Sequence, residues 1–304
     1  MPGSLPPLFP KILVVVYELP VPEERNQPVR EILNWNDPEI LISQFIDDLK
    51  YASYGFCNYQ VVDRVTVSGF PIKEDGFRYS GSDYMRSWRS RTGFHSPDWA
   101  DYHRIMVDLD VAHRIDNYEI DEIWMFAGPY AGFYESRMAG PSAFWCNAPP
   151  LDSYSQMNRR TVLMGFNYER GVGEMLESYG HRAESIMEHV YRGRRGEDNF
   201  WRRFIRHDKS HPGHAEVGNI HYAPNSRRDY DWGNPQRVLC RCDTWLNFPD
   251  LTGAPRMVNS RDWGNGDTRL HHMWWLRHLP RKAGETGDVS NNWWQYVVDP
   301  NRVR

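Results

Sequence analysis

The sequence has no long hydrophobic run, since its longest unbroken apolar stretch extends only from Ile12 to Tyr17. A membrane-spanning helix needs about 18 to 20 apolar residues, so the sequence predicts no membrane span. The first residues also lack the basic start and the long apolar middle of a secretory signal. Either the protein stays inside the cell or a signal has been removed.

Cysteine and lysine are scarce, with four cysteines in 304 residues and five lysines among 36 basic residues. Four cysteines are too few for a disulfide scaffold, and the single residue between Cys240 and Cys242 does not match the two-residue gap of zinc ribbons. We expect these cysteines to be inert or to form one bridge. The other 31 basic residues are arginines, whose guanidinium groups suit buried pairing and carboxylate recognition, although a GC-rich genome would give the same composition.

Positive charge is not in excess, because 40 acidic residues leave a formal net charge of −4. Proteins that bind nucleic acid through its phosphates usually carry a basic surplus, so we expect no nucleic-acid partner. Several catalytic signatures are also missing: a Walker loop, an HExxH helix and a Gly-x-Ser-x-Gly elbow. The sequence therefore does not predict a protein of the common nucleotide-binding or hydrolase classes that these motifs define.

Hydrophobic periodicity in the first 192 residues is typical of strands that alternate with helices. Short apolar or alternating runs predict strands over residues 11–17, 58–67, 121–126 and 161–166. Helical spacing predicts helices over residues 38–51 and 169–191, and a further helix that opens at 96 and continues to 115. This order favours an α/β fold with a mostly parallel central sheet and flanking helices.

Two segments depart from this periodicity. Residues 128–160 combine Gly, Pro, Ser and Asn with aromatic residues, which predicts a long aromatic-walled loop of the kind that is usually functional. After residue 192 long helical periods vanish, and eight of the thirteen tryptophans follow. We therefore predict an α/β core domain over residues 1–192 and an irregular, Trp-rich lobe over residues 193–304, packed on the core as one structural unit.

Seven strings carry a family resemblance: Trp35-Asn-Asp-Pro38, Asp121-Glu-Ile-Trp124, Gly128-Pro-Tyr130, Tyr134-Glu-Ser136, Met164-Gly-Phe-Asn-Tyr-Glu-Arg170, Gly180-His-Arg-Ala-Glu-Ser185 and Val217-Gly-Asn-Ile-His221. In these strings the chain resembles an uncharacterised family of bacterial proteins, often secreted and fused to fibronectin-type or carbohydrate-associated modules. The likeness extends from about residue 11 to residue 300. It implies an extracytoplasmic setting and action on an external polymer, but no particular reaction.

Three polar side chains share one face of the predicted helix over residues 169–191. Glu177, His181 and Glu184 stand at offsets i, i+4 and i+7, which place side chains on the same face. A histidine and a carboxylate so spaced can bind one divalent ion, with bonds of about 2.1 Å to zinc. His221 ends a short strand-like segment that would hold its side chain firmly. The predicted ligands of zinc or another divalent metal are therefore His181, Glu184 and His221, with a fourth position left for water.

The same helix face has two other interpretations. One is the solvated or salt-bridged face of an ordinary amphipathic helix, formed by Glu177, His181, Glu184 and Glu188 together with Arg182 and Arg192. Alternatively, His181 or a glutamate could act in catalysis without a metal.

Further candidate residues follow the predicted strands. Ligands of parallel sheets bind beyond the carboxyl ends of the strands, and Glu135 follows one of them. Glu135 or Glu177 is the candidate general base, and Arg182 is a candidate for stabilising developing negative charge. Aromatic rings there could stack on sugars or pack against peptides, although such rings are more often core. The candidate substrate-binding residues are Tyr130, Tyr134, Trp145 and Asn167.

Three functions fit these residues. The first is a metal-dependent hydrolase that acts on peptide or other amide bonds of an external polymer. The second is a metal-independent glycoside hydrolase that uses Glu135 and Glu184 as its two carboxylates. The third is a non-catalytic protein that binds glycans or a surface, or that serves as a structural subunit.

Overall fold

Eleven β-strands are present in the computed structural model, which describes residues 5–304. The strands are β1 (Lys11–Glu18), β2 (Pro20–Val21), β3 (Gln27–Pro28), β4 (Gln60–Ser68), β5 (Glu122–Ala127), β6 (Ser136–Ala139), β7 (Thr161–Asn167), β8 (Val238–Cys240), β9 (Arg256–Val258), β10 (Arg281–Thr286) and β11 (Val289–Asn292). Five of them form a central sheet, and the other six form three separate two-stranded pairs.

Nine α-helices lie in the same residues. The helices are α1 (Val29–Ile32), α2 (Pro38–Ala52), α3 (Gly81–Ser90), α4 (Tyr102–Asp108), α5 (Val111–Asp116), α6 (Val172–Val190), α7 (Phe200–Phe204), α8 (Thr268–Arg277) and α9 (Trp294–Val298). Within residues 5–304, no helix combines the length and the apolar character that crossing a membrane requires.

The central sheet has the strand order β4–β1–β5–β7–β6. Neighbouring strands are parallel except β6, which is antiparallel to β7. Trp124 of β5 lies opposite Val14 of β1 and Met164 of β7. All six residues of β5 are buried, because a central strand of a sheet covered on both faces exposes neither set of side chains. The predicted α/β fold with a mostly parallel sheet and flanking helices is confirmed.

The helix predicted over residues 96–115 begins only at Tyr102 and is in fact two helices, α4 and α5. Leu109 and Asp110 separate them, and Asp110 has a φ of +49°. This left-handed backbone conformation interrupts a right-handed helix. The apolar spacing continues across the break, so periodicity alone does not reveal it.

The prediction of a continuous loop over residues 128–160 is wrong for residues 136–139, which form β6. This strand pairs with β7 at the edge of the sheet, with Ser136 opposite Met164. Four residues that include a serine and an arginine are too short a segment for an alternating pattern to emerge.

The chain forms two compact units, each discontinuous in sequence. The sheet unit comprises Pro10–Gln44 and Tyr59–Gly171 and contains the central sheet. The helical unit comprises residues 5–9, Phe45–Asn58 and Val172–Arg304 and contains α6 to α9. The predicted division at residue 192 follows other bounds and stays a prediction.

Aromatic side chains form the core of the helical unit. Trp201, Phe204, Trp245, Trp275 and Trp293 are buried, and neighbouring ring centroids lie 5.1–6.4 Å apart. Each such ring removes about 150–250 Å² from water, so a few rings supply a core that short helices can pack around. The predicted Trp-rich character of this part of the chain is confirmed.

Candidate metal centre

Helix α6 carries Glu177 and His181 one turn apart. Its apolar side chains are buried, and Glu177 is itself only 9% exposed while His181 is half-buried. A fully solvated helix face would leave both side chains in water, so the solvated form of that interpretation does not describe these two residues. The salt-bridged form stays a prediction. The helix instead presents them toward the interior of the helical unit.

A tight turn places His221 against this helix. Asn219 Oδ1 accepts hydrogen bonds from the backbone N–H of His221 at 3.0 Å and from that of the next residue at 2.8 Å, which closes the turn. Gly218 has a φ of +84°, a conformation that glycine adopts without strain. The buried Ile220 donates its backbone N–H to Glu184 Oε1 at 3.0 Å. The segment predicted to be strand-like is therefore a turn fastened to α6.

Three donor atoms converge where these side chains meet. His181 Nε2 lies 3.0 Å from His221 Nε2. Glu177 Oε1 lies 3.3 Å from His221 Nε2 and 4.0 Å from His181 Nε2. Ligand atoms about 2.1 Å from a tetrahedral ion are about 3.4 Å apart. The observed separations bracket this value, so one divalent ion fits the three atoms with small side-chain adjustments.

Glu184, one of the predicted ligands, contacts the opposite side of the His181 ring. Its Oε2 accepts a hydrogen bond from His181 Nδ1 at 2.8 Å, while Oε1 accepts from Ile220 N. In a neutral His181 the proton then lies on Nδ1, and Nε2 presents a lone pair. The structure thus places Glu177, and not Glu184, beside the two Nε2 atoms.

Tyr230 is the fourth residue of this group, and no sequence pattern predicts its position there. Its hydroxyl hydrogen-bonds with His221 Nε2 at 3.1 Å, and it also hydrogen-bonds with Glu177. The tyrosine lies nine residues after His221 in an irregular segment, so neither periodicity nor motif spacing connects it with α6.

The electrostatics of the group favour a charged carboxylate at Glu177. Burial acts to raise the pKa of Glu177, but hydrogen bonds from His221 and Tyr230 and the nearby imidazoles of His272 and His181 outweigh it, so this pKa is lowered. Burial lowers the pKa of His272 to about 4, which keeps that ring neutral near pH 7. Metal ions bind deprotonated ligands, so the lowered pKa of Glu177 suits a cation.

Arg182, predicted to stabilise negative charge, is fully buried. Its Nε donates to the carbonyl of Val297 at 3.1 Å, and its Nη2 donates to that of Val298 at 3.4 Å. Both carbonyls belong to the end of α9, where the helix dipole favours a cation. These contacts connect α6 with α9.

Two predicted site residues lie near the carboxyl end of β7 in the sheet unit. The carboxylate of Glu135 accepts a hydrogen bond from Asn147 Nδ2, and its backbone carbonyl accepts from Gly165 N at 3.1 Å. Asn167 ends β7, and its Oδ1 accepts from Glu169 N at 2.9 Å. Glu135 and Asn167 are therefore placed at the edge where parallel sheets bind ligands. Whether they meet the residues of α6 stays a prediction.

The predicted substrate-binding aromatic residues are partly exposed. Tyr130 stacks on Phe94 with centroids 3.6 Å apart, and Tyr134 stacks on Trp99 at 5.0 Å. Trp145 is 59% exposed. Flat exposed rings of this kind can stack on sugars or on planar peptide groups.

A second group of potential metal ligands consists of Cys242, Asp243 and His278. His278 Nε2 lies 3.9 Å from Asp243 Oδ1, and Asp243 also accepts hydrogen bonds from Arg256 at 2.6 and 3.2 Å. Burial acts to lower the pKa of His278, but hydrogen bonds with Asp243 and Cys242 raise it to about 9. These side chains therefore satisfy one another as an ion-pair network, and Cys242 and the other three cysteines are buried free thiols.

No protein-family model, curated protein or solved structure matches this chain. The family resemblance stays an expectation from the sequence. A function for the protein rests on the geometry around Glu177, His181 and His221.

Proposed function

We propose that the protein is a metal-dependent hydrolase whose ion is held by Glu177, His181 and His221. The supporting observation is the convergence of their three donor atoms at separations of 3.0–4.0 Å. Two histidines and one glutamate are a known ligand set of zinc hydrolases, which keep a fourth position for water. Zinc or another divalent metal is the proposed cofactor.

In this proposal Glu177 takes the ligand role that the sequence predicted for Glu184, and Glu184 takes a new one. Glu177 becomes a ligand, because its Oε1 lies beside both Nε2 atoms. Glu184 becomes the residue that orients His181, since it accepts the Nδ1 proton. Histidine ligands of metals usually donate their other ring N–H to a carboxylate or carbonyl in this way.

The chemistry follows from the ion and from Tyr230. A divalent ion held by Glu177, His181 and His221 would supply Lewis-acid chemistry, polarising a carbonyl oxygen and lowering the pKa of coordinated water toward 7. The Tyr230 hydroxyl, 3.1 Å from His221 Nε2, is positioned to donate a hydrogen bond to an oxygen that gains negative charge at the ion. Hydrolysis of peptide or other amide bonds is the reaction that this arrangement suits, because its tetrahedral intermediate carries such an oxygen.

A polymeric substrate is supported by the exposed stacked pairs of the sheet unit. Trp99 is 45% exposed and Tyr130 is 41% exposed, and each ring is backed by another aromatic ring. Backed rings resist rotation and offer a fixed flat surface to a peptide or glycan chain. We therefore keep an external peptide or glycan polymer as the proposed partner.

The decisive experiment measures metal and activity together. Purified protein loaded with zinc and dialysed is expected to retain one ion per chain by elemental analysis, and His221→Ala is expected to lose it. His214→Ala is the matched control, because His214 is exposed and lies outside the centre. A screen of fluorogenic peptides should show amide hydrolysis that a chelator abolishes and zinc restores.

Two results would contradict the proposal. One is a wild-type protein that retains no divalent ion, and the other is activity that a chelator leaves unchanged. If chelator-resistant cleavage of glycans appeared and Glu135→Gln and Glu184→Gln both abolished it, the two-carboxylate glycoside hydrolase would be the better function.

A further inference from the structure

His272 of helix α8 has one ring nitrogen with a partner and one without. Its Nδ1 donates a hydrogen bond to the backbone carbonyl of Gly173 at 2.9 Å, so in the neutral ring Nε2 is an acceptor with a lone pair. The side chain is fully buried, and no atom of residues 5–304 forms a hydrogen bond with Nε2. A buried polar atom without a partner destabilises the folded state, which calls for a functional explanation.

The position of His272 relates it to the candidate metal centre. Gly173 lies four residues before Glu177 on α6, and side chains on a helix lean toward its N-terminus. The Glu177 side chain therefore extends over the turn to which His272 is bound. The imidazole interacts electrostatically with Glu177, His181 and His221.

Ring contacts give the same location independently. The Trp232 ring lies 4.8 Å from the His272 ring and 5.2 Å from the Tyr230 ring. The Tyr230 ring in turn lies 4.6 Å from that of His221. His272 is thus connected with the centre in two ways, through the neighbouring rings of Trp232 and Tyr230 and through its hydrogen bond to Gly173 of α6.

We infer that His272 Nε2 accepts a hydrogen bond from the solvent molecule in the fourth coordination position of the proposed centre and so orients that molecule. The inference rests on the proposed metal-dependent function and adds a positioning residue to it. A water molecule held by the ion can donate a hydrogen bond to this lone pair. An apolar side chain in place of His272 offers no acceptor and could not orient the water molecule. The tautomer fixed by Gly173 provides the acceptor that this geometry needs.

The alternative of a fourth protein ligand is less suitable. Glutamate and three histidines would close a tetrahedral site, and closed sites are structural, whereas catalytic sites keep a position for water. His272 also lies outside the set whose ligand atoms are all within 4.8 Å of one another. A hydrogen-bond acceptor that does not itself bind the ion leaves the fourth position open to water and fits the place of His272 outside the ligand set.

Azide binding to the cobalt(II)-substituted protein tests the inference. Azide replaces the coordinated solvent but carries no proton, so it faces the His272 lone pair without a hydrogen bond. His272→Phe should therefore bind azide about tenfold more tightly than wild type, which corresponds to one hydrogen bond of about 1.4 kcal/mol. His272→Gln, which can retain an acceptor, should remain within about threefold of wild type.

His271→Phe is the matched control. His271 is the neighbouring residue, is equally buried and stacks on the same Trp232 ring at 4.6 Å, but it does not bind Gly173. Its azide affinity should be unchanged. An equal shift in both phenylalanine variants, or none in His272→Phe, would overturn the inference. If His272→Phe does not fold by circular dichroism, His272→Leu replaces it with the same expectation.

The two proposals fail in different ways. If wild type binds no cobalt(II), the metal centre and the inference fall together. If cobalt(II) binds and the azide affinities of wild type, His272→Phe and His272→Gln agree, only the role of His272 is lost.

Discussion

His181 has a different partner at each ring nitrogen, and this asymmetry separates the two glutamates of α6. Nδ1 contacts Glu184, while Nε2 faces Glu177 and His221. A carboxylate at Nδ1 fixes the tautomer and the ring orientation and makes Nε2 a better ligand. Both glutamates are therefore expected to affect metal binding, but to different extents.

Substitution of Glu177 and of Glu184 should lower the zinc affinity to different extents. Glu184→Gln is expected to weaken zinc affinity about 10- to 100-fold, because it removes the charge that supports His181. Glu177→Gln should weaken it further, since it removes a charged ligand. Competition against a chromophoric chelator measures both affinities.

The control lies on the same helix. Glu188 is exposed and pairs with Arg202 at 3.1 Å, so Glu188→Gln should leave zinc affinity unchanged. A greater loss from Glu184→Gln than from Glu177→Gln would restore the ligand set predicted from the sequence.

The buried His278 should make the stability of the protein depend on pH. Its pKa is raised to about 9 in the folded state, against an ordinary value of about 6.5. The stabilisation is fully present below pH 6.5 and is lost as pH rises through 9. Wild type should therefore lose on the order of 2–3 kcal/mol of its free energy of unfolding across this range relative to His278→Gln.

Urea unfolding at pH 6.0, 7.5 and 9.0 measures this difference. The groups that face His278 are Asp243 and Cys242, and Asp243 is also held by Arg256. Parallel pH profiles of wild type and His278→Gln would show that the ion pair contributes nothing.

At the scale of secondary structure elements, α6 and the turn around His221 are joined by a close contact at Gly180. A Cβ atom at this position would overlap the Cδ1 and Cγ1 atoms of Ile220. Ile220 is fully buried and directly precedes His221. The absence of a side chain at Gly180 therefore lets the turn approach the helix closely enough for His181 and His221 to meet.

Gly180→Ala should therefore lower both the stability and the zinc affinity of the protein, although alanine favours a helix more than glycine does. The propensity gain of about 1 kcal/mol is expected to be outweighed by overpacking, for a net loss of about 1–2 kcal/mol in the free energy of unfolding. Zinc affinity should fall at the same time, because Ile220 and His221 must move. Denaturant unfolding and zinc titration measure the two effects.

Two further variants separate overpacking from other causes. Gly193→Ala adds a Cβ with no atom within 4 Å and should change neither quantity. Ile220→Ala in the Gly180→Ala background removes the overlapping atoms and should recover part of the zinc affinity. No recovery would show that the contact does not position His221.

The elements that could be predicted are those whose pattern is local. The strand β5 is a short, fully buried run, and the 19-residue helix α6 has enough residues for its periodicity to appear. Glu177 and His181 follow from it, because a spacing of four residues fixes their relation on a helix. By contrast, α3 derives its buried face from scattered residues such as Tyr84 and Met85 and begins at a serine cap, so its sequence resembles a polar loop.

For the whole molecule, the candidate centre depends on contacts between distant parts of the chain. His181 and His221 are 40 residues apart, and Gly173 and His272 are 99 residues apart. Pairing at such distances is determined by how the elements pack, which periodicity does not encode. The sequence could therefore nominate His221 among the nine histidines that lie from residue 181 onward, but it could not identify Tyr230 or His272 as neighbours.

Because the proposed ligands come from distant parts of the chain, we predict that metal binding stabilises the folded protein. The three proposed ligands are close together only when α6 and the His221 turn are packed, so the unfolded chain should bind zinc weakly. An ion at a free concentration 1,000 times its Kd would then add about 4 kcal/mol to the free energy of unfolding. Calorimetry should show a higher Tm with zinc than with a chelator, and His221→Ala should abolish the difference. A Tm that zinc leaves unchanged in wild type would mean that the three side chains do not hold an ion, because any ligand that prefers the folded state must raise it.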